Sequence, residues 1–145
     1  MSQQNESIVR RLINEAWNAG KLEVVDDCVA PQYVHEGPLD SVRGPAGAKE
    51  MITKYRTAFP DCSLKIVELF SADDRVVVRF QYSGTHKAAL EGLPPTGRSA
   101  KGSGTDIHRV ENGRIVETFS QWDALGLMQQ LGVVTLPGRA RSASV

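Results

Sequence analysis

Apolar residues along this chain keep two different rhythms, and the change between them divides it. Over the first sixty positions they recur every three or four residues. Ile8, Val9, Leu12, Ile13, Ala16 and Trp17 mark one side of a helix, with Arg10, Arg11, Asn14 and Glu15 on the other. Gly20 suits the left-handed position that closes such a helix. A short second helix is expected to hold Leu22, Val25 and Val29 and to end before Pro31. Tyr33 to Glu36 is then extended, and Gly37-Pro38 stops it. A third helix starts near Pro45, at home in a first turn, and buries Met51, Ile52, Tyr55 and Phe59 before Pro60 ends it.

After Pro60 the period shortens to two. Ser63 to Phe70 and Arg75 to Ser83 read as strands about an Ala72-Asp73-Asp74 turn, and the run Val76-Val77-Val78 is strongly β-forming. Lys87 to Lys101 is rich in Gly and Pro and reads mostly as loop. Two more strands, Ser103 to Val110 and Arg114 to Trp122, flank Glu111-Asn112-Gly113. A last amphipathic turn or two uses Leu125, Leu127, Met128 and Leu131, with Gly132 as its stop. Residues 1–136 are expected to form one domain and 137–145 a frayed tail. Helices followed by a meandering sheet imply an α+β fold, a conical, curved antiparallel sheet wrapped over the N-terminal helices. The open mouth of such a cone is a natural small-molecule pocket.

Bulk properties narrow the partners. With 17 basic and 17 acidic residues the formal net charge is zero and the cations are scattered, which argues against nucleic acid or an acidic membrane. The polar N-terminus has no signal-peptide core, and no apolar run approaches the roughly 20 residues of a membrane span. The expectation is a cytoplasmic protein. Cys28 and Cys62 are read as free, buried thiols. His35, His86 and His108 show no metal-ligand spacing, so no metal is expected.

The chemistry-bearing stretch is Gly84-Thr85-His86, then Gly92 to Gly97, then Gly104-Thr105-Asp106-Ile107-His108-Arg109. Asp106 and His108, two apart on a strand, share a face. Which residues of the last strand join them depends on the hairpin. A two-residue Asn112-Gly113 turn sets Phe119, Gln121 and Asp123 beside them. A type I turn with Gly113 in a bulge sets Thr118, Ser120 and Trp122 there, and leaves Asp123 to cap the closing helix. The second is favoured, because glutamate fits a type I turn. Trp17, Tyr33, Phe80 and Trp122 suit the walls of a site for a flat polycyclic ligand, or plain core packing. One of His35 and Glu36 points inward; His86 either braces its loop or meets ligand; Arg79 and Arg109 read as ion-pair or solvent-facing groups.

Val42-Arg43-Gly44-Pro45, Ala58-Phe59-Pro60-Asp61, Gly84-Thr85-His86, Pro94-Pro95-Thr96-Gly97, Asn112 to Glu117 and Gln130-Leu131-Gly132 together resemble the SnoaL-like polyketide cyclases and ester cyclases, over about residues 8 to 133. The resemblance implies the conical fold of nuclear transport factor 2 and ketosteroid isomerase. It also implies intramolecular aldol ring closure through an enolate, on an apolar oxygenated small molecule and without metal or organic cofactor. In that chemistry a desolvated carboxylate is the base and hydrogen-bond donors hold the oxyanion. Asp106 sits where the sequence is similar to an isomerase aspartate, and His35 near the strand where isomerases of this fold carry their base. The family's own aspartate belongs on the last strand, where Ser120 stands in the favoured register. The candidate catalytic residues are therefore Asp106, His35 and His108, and the candidate substrate-binding residues are Trp17, Tyr33, Phe80, His86, Thr118, Ser120 and Trp122. A homodimer is implied as well. The alternatives are a non-catalytic binding or accessory protein of the same fold, and a cofactor-free hydroxylase or hydrolase. Epoxide hydrolysis is disfavoured, since Arg79-Phe80-Gln81 lacks an Arg-x-Asp pairing.

Overall fold

The computed structural model describes residues 2–135 and Pro137. Of the tail expected over 137–145, all but Pro137 lies outside the described residues. Helix α1 (Ser2–Arg11) runs straight into a π-helical turn, Leu12–Trp17, in which the Asn18 N–H reaches back to the Ile13 carbonyl at 3.0 Å. The wider winding is uncommon and found mostly as single turns near functional sites. Gly20, at φ +75°, closes the segment as expected.

Helix α2 (Glu23–Cys28) is shorter than the sequence suggested. Val29, expected in that helix, is instead the first residue of strand β1 (Val29–Glu36), paired with Ile115. Pro31 is inside this strand rather than beyond it. It falls where pairing lapses between Val29 and Val34, so its missing N–H breaks no ladder bond. A three-residue strand, β2 (Ser41–Arg43), folds back on β1. It is too short to show an alternation and was not anticipated. Helix α3 (Gly44–Ala58) follows, with Pro45 in its first turn.

Strands β3 (Ser63–Ala72), β4 (Arg75–Thr85), β5 (Ser99–Glu111) and β6 (Arg114–Trp122) form the expected meander, and helix α4 (Ala124–Gln130) ends it. The sheet order is β2-β1-β6-β5-β4-β3. Among the described residues, the pair β1·β6 is the one parallel pairing in an otherwise antiparallel sheet. Irregularities in β1·β6, β3·β4 and β5·β6 bend the strands. The curved sheet wraps the N-terminal helices. Val9, Leu12, Ile13 and Ala16 pack there against Val76, Val78, Val110 and Ile115. A second apolar cluster of Phe59, Leu90, Ala100, Leu127 and Leu131 closes the other end, and Trp122 touches both.

Candidate active site

Between the two clusters lies a cavity that opens to solvent and is lined by residues of both. Its inner wall is set by the register of three strands. Asp106 pairs across β5·β6 with Ser120, and His108 with Thr118, which pairs in turn with His35 of β1. One row further on, Phe80, Gly104 and Trp122 lie side by side. A Cβ on Gly104 would fall 2.6 Å from both the Phe80 ring and the Trp122 Cβ. Only glycine lets those two aromatics close over β5.

The hairpin reaches this arrangement by a different route from the favoured one. Asn112 and Gly113 both have positive φ, +54° and +79°, and form a two-residue turn with Glu111 opposite Arg114 and Val110 opposite Ile115. That is the type I′ turn, not the type I turn with a bulged glycine. The register then slips at the next step: Arg109 pairs with Glu117, leaving Val116 as an extra residue. Ile115 and Val116 are both buried, as side chains on either side of a bulge can be. The slip turns Thr118, Ser120 and Trp122 inward and Phe119 outward. Asp123 is outside the cavity and accepts the Gly126 N–H at 2.8 Å as cap of α4.

The polar floor is largely buried. The Asp106 side chain is 17 % exposed and its Oδ1 is buried without a partner. Burial lifts its carboxyl to about 6, against a smaller opposing pull from the Ser120 hydroxyl. His108 is 2 % exposed; burial, reinforced by His35 nearby, lowers it to about 3 and keeps it neutral. Its Nδ1 lies 2.7 Å from Thr118 Oγ1, while Nε2 is unpartnered and 3.7 Å from Asp106 Oδ2. Tyr33 donates its hydroxyl to Thr118 Oγ1 at 2.7 Å and sits 3.3 Å from His35 Nδ1. Burial lowers His35 also, with Asp40 acting the other way. An unpaired buried polar atom costs about 1–3 kcal/mol. Two of them belong to neighbouring residues of the cavity wall, Asp106 and His108.

Comparison with known proteins agrees with this architecture. The profile of the SnoaL-like polyketide cyclase family matches residues 7–131. The chain belongs to the SnoaL-like polyketide cyclase family. It is 30 % identical over 129 residues to the aklanonic acid methyl ester cyclase DnrD of Streptomyces peucetius, covering 86 % of this chain and 88 % of that one. To the aklanonic acid methyl ester cyclase AcmA of Streptomyces galilaeus it is 32 % identical over 127 residues, covering 86 % and 88 %. The solved structure of TsrD from Streptomyces laurentii is similar with a TM-score of 0.82 and 28 % identity, over 91 % of this chain and 97 % of that one.

In this SnoaL-like chain the motifs that carry the resemblance act chiefly as joints. Asp61 accepts both the Thr85 N–H (2.7 Å) and its hydroxyl (2.8 Å), which holds its carboxyl below the usual range. Gln130 exchanges two hydrogen bonds with the Lys101 backbone, pinning α4 to β5. His86, offered as a ligand contact, does not line the cavity. It is fully buried, and its Nδ1 accepts the Thr96 N–H at 3.1 Å while its backbone bonds Arg98 and Gly97 at the neck of the 87–97 loop. The structure brings Trp17, Tyr33, His35, Phe80, Asp106, His108, Thr118, Ser120 and Trp122 to the cavity. Glu36, the alternative to His35, faces outward.

Several wall residues went unread. Tyr55, taken as part of a core stripe, meets Trp17 and Trp122 ring to ring and donates its hydroxyl to Asp40. Tyr82 stands edge-on to Trp122. The signal available was Tyr55 itself, because a buried phenol needs a partner for its hydroxyl. Among the described residues, no group of three His, Cys, Asp or Glu side chains converges as a metal site would require. Among the same residues, no helix is long and apolar enough to cross a membrane.

Proposed function

We propose that this protein closes a ring in an apolar, polyketide-derived carbonyl compound by intramolecular aldol addition, with no cofactor and with Asp106 as the proton-transferring group. A methyl ester of the aklanonic acid type, the compound named for its relatives, is the substrate class the reading favours. The supporting observation is the pair of unpartnered atoms, Asp106 Oδ1 and His108 Nε2, on residues of a mostly apolar cavity wall. A carboxyl near 6 is still mostly ionised at neutral pH, yet basic enough to take a proton next to a carbonyl. Neutral His108 offers an N–H to the oxygen on which negative charge develops. Once protonated, Asp106 returns the proton to the new alkoxide, and the flat walls of Trp17, Phe80 and Trp122 hold the folded chain in reach of itself.

Ser120 cannot act as a base near neutral pH, so the duty that the resemblance places on β6 rests on its partner across the ladder, Asp106. The test is deuterium exchange at the α-carbons of a polycyclic β-keto methyl ester, followed by NMR. Exchange catalysed by the wild type and at least tenfold slower with Asp106→Asn is the expected result. Equal exchange with both proteins refutes the assignment. Tight binding without exchange in either favours the second reading, a binding or accessory protein, for which Ser120 in place of an aspartate is the specific argument.

We also propose a homodimer through the outer face of the sheet. Phe70, Val77, Ile107 and Phe119 are consecutive partners across four strands, and Phe119 is 51 % exposed. The flanking rows carry both signs, Glu68 with Arg79 on one side and Arg109 with Glu117 on the other. An apolar row between mixed charges is complementary to a second copy of itself.

A further inference from the structure

The hydrogen bonds behind the cavity wall have directions that can be worked out, and together they join His35 to Asp106. Thr118 is 1 % exposed, and its one hydroxyl hydrogen has to find an acceptor. Its oxygen already receives the Tyr33 hydroxyl, so the hydrogen goes to His108 Nδ1 at 2.7 Å. His108 therefore carries its proton on Nε2, aimed at Asp106 Oδ2. At the other end Tyr33 has spent its hydrogen, and its oxygen can only accept from His35 Nδ1–H at 3.3 Å. His35 Nε2 is left as a bare lone pair, and His35 lines the same cavity as Asp106.

We infer that His35, Tyr33, Thr118, His108 and Asp106 form a single proton relay, with His35 Nε2 as a second point at which substrate exchanges a proton. Tyr33 and Thr118, expected to bind substrate, are its connecting links. The inference rests on the cyclase reading and extends it. When His35 Nε2 takes a proton from a substrate C–H bond, its Nδ1 proton passes to Tyr33. The Tyr33 proton passes to Thr118, the Thr118 proton to His108 Nδ1, and the His108 Nε2 proton to Asp106. The net change is one proton moved from the substrate C–H bond to Asp106. His35 trades its Nδ1–H for an Nε2–H, His108 trades its Nε2–H for an Nδ1–H, and every intermediate group stays neutral. The new Asp106 O–H takes the place of the His108 N–H as donor to the developing oxyanion. The opposite passage, a proton entering at Asp106 and one leaving from His35 Nε2, restores the starting state. The 3.7 Å step from His108 to Asp106 is the one link beyond hydrogen-bond length, and catalytic contacts commonly tighten only when substrate is bound.

Strand register builds this line. His35, Thr118 and His108 are consecutive partners across β1, β6 and β5, and Tyr33 lies two residues from His35 on the same strand face. The groups facing its ends are few. Ser120 opposes Asp106, and Asp40, itself held by Lys54 and Tyr55 of α3, faces His35.

The test needs no substrate. In protein labelled with ¹⁵N-histidine, the ring nitrogens of His35 and His108 report their tautomers through a titration of Asp106. The expected result is that both rings stay neutral and exchange tautomer together, with one midpoint. Thr118→Val is expected to abolish the joint switch, and Thr118→Ser to restore it. Should Thr118→Val fail to fold, Tyr33→Phe cuts the same line one step nearer His35. Independent behaviour of the two rings in the wild type, or joint switching that survives the cut, overturns the relay. If that happens while Asp106→Asn still stops α-proton exchange, the cyclase reading stands without it. An intact relay beside undiminished exchange in Asp106→Asn overturns the cyclase reading alone.

Discussion

Replacing Asp106 by asparagine removes a buried charge and keeps its shape, and the stability response can be worked out. The carboxyl ionises near 3.8 when solvated and at about 6 in the fold. Between those values the folded chain holds a proton that the unfolded chain has released, so stability falls as pH rises through that window. The gap is about two pKa units at ~1.4 kcal/mol each, or roughly 3 kcal/mol lost by neutral pH. Low exposure of the side chain leaves little solvent screening to discount.

His108 works in the opposite direction. Its unfolded ring takes a proton below 6.5, while the buried ring stays neutral down to about 3, so its contribution rises with pH over the same range. The two slopes nearly cancel in the wild type, whatever the other groups contribute. Asp106→Asn leaves the His108 rise unopposed. The stability of the variant minus that of the wild type is therefore expected to grow by ~2–3 kcal/mol between about pH 4 and neutral, in the variant's favour. Any hydrogen bond gained or lost by the amide shifts the whole difference without tilting it. Urea unfolding followed by the fluorescence of Trp17 and Trp122, both on the cavity wall, measures it at each pH. A difference that is level with pH, or that shrinks as pH rises, means that the carboxylate is not desolvated and the reasoning fails.

Two further outcomes test the architecture. Deleting Val116 removes the extra residue but keeps Glu117 opposite Arg109 and Thr118 opposite His108, so Thr118, Ser120 and Trp122 still face inward and the near-ultraviolet dichroism and a cooperative urea transition should both be retained; loss of both would mean that Val116 is not the surplus residue of the bulge. Phe119→Lys, on the outer row, is expected to convert a dimer to a monomer in sedimentation velocity without changing the far-ultraviolet spectrum, and an unchanged sedimentation coefficient would remove that face as the interface.

How much of this was legible in the sequence follows from where each signal is written. Element types were readable because periods of 3.6 and 2 are local, as in Ile8 to Trp17 and in Val76 to Val78. The pairing of Asp106 with His108 on one face was readable for the same reason. The motifs that carry the family resemblance were readable too, yet Asp61, His86, Thr96 and Gln130 fasten loops and the last helix to the sheet rather than line the site. A motif that fixes a chain crossing announces the fold, and only indirectly the chemistry.

What could not be read was everything decided between strands. Thr118, Ser120 and Trp122 were given the right direction, but through a type I turn the chain does not use. Two compensating choices, a tight Asn112-Gly113 turn and an extra Val116, produce the same facing as one bulged glycine. No pattern within a single strand distinguishes them, because both leave the alternation of β5 untouched. The parallel pairing of β1 with β6 was equally invisible, and it is what lays His35 against Thr118. Tyr33, His35, Thr118 and His108 become one line of hydrogen bonds only when β1 and the distant β5·β6 hairpin share a register. The same register puts the Asp106 carboxylate opposite Ser120, in a hollow walled mostly by aliphatic and aromatic side chains. The sheet thus sets the burial that raises the Asp106 carboxyl and lays the His108 ring beside it. A shift of β6 by one residue would turn Phe119 and Gln121 inward in place of Thr118, Ser120 and Trp122, and the chemistry of the wall would go with them.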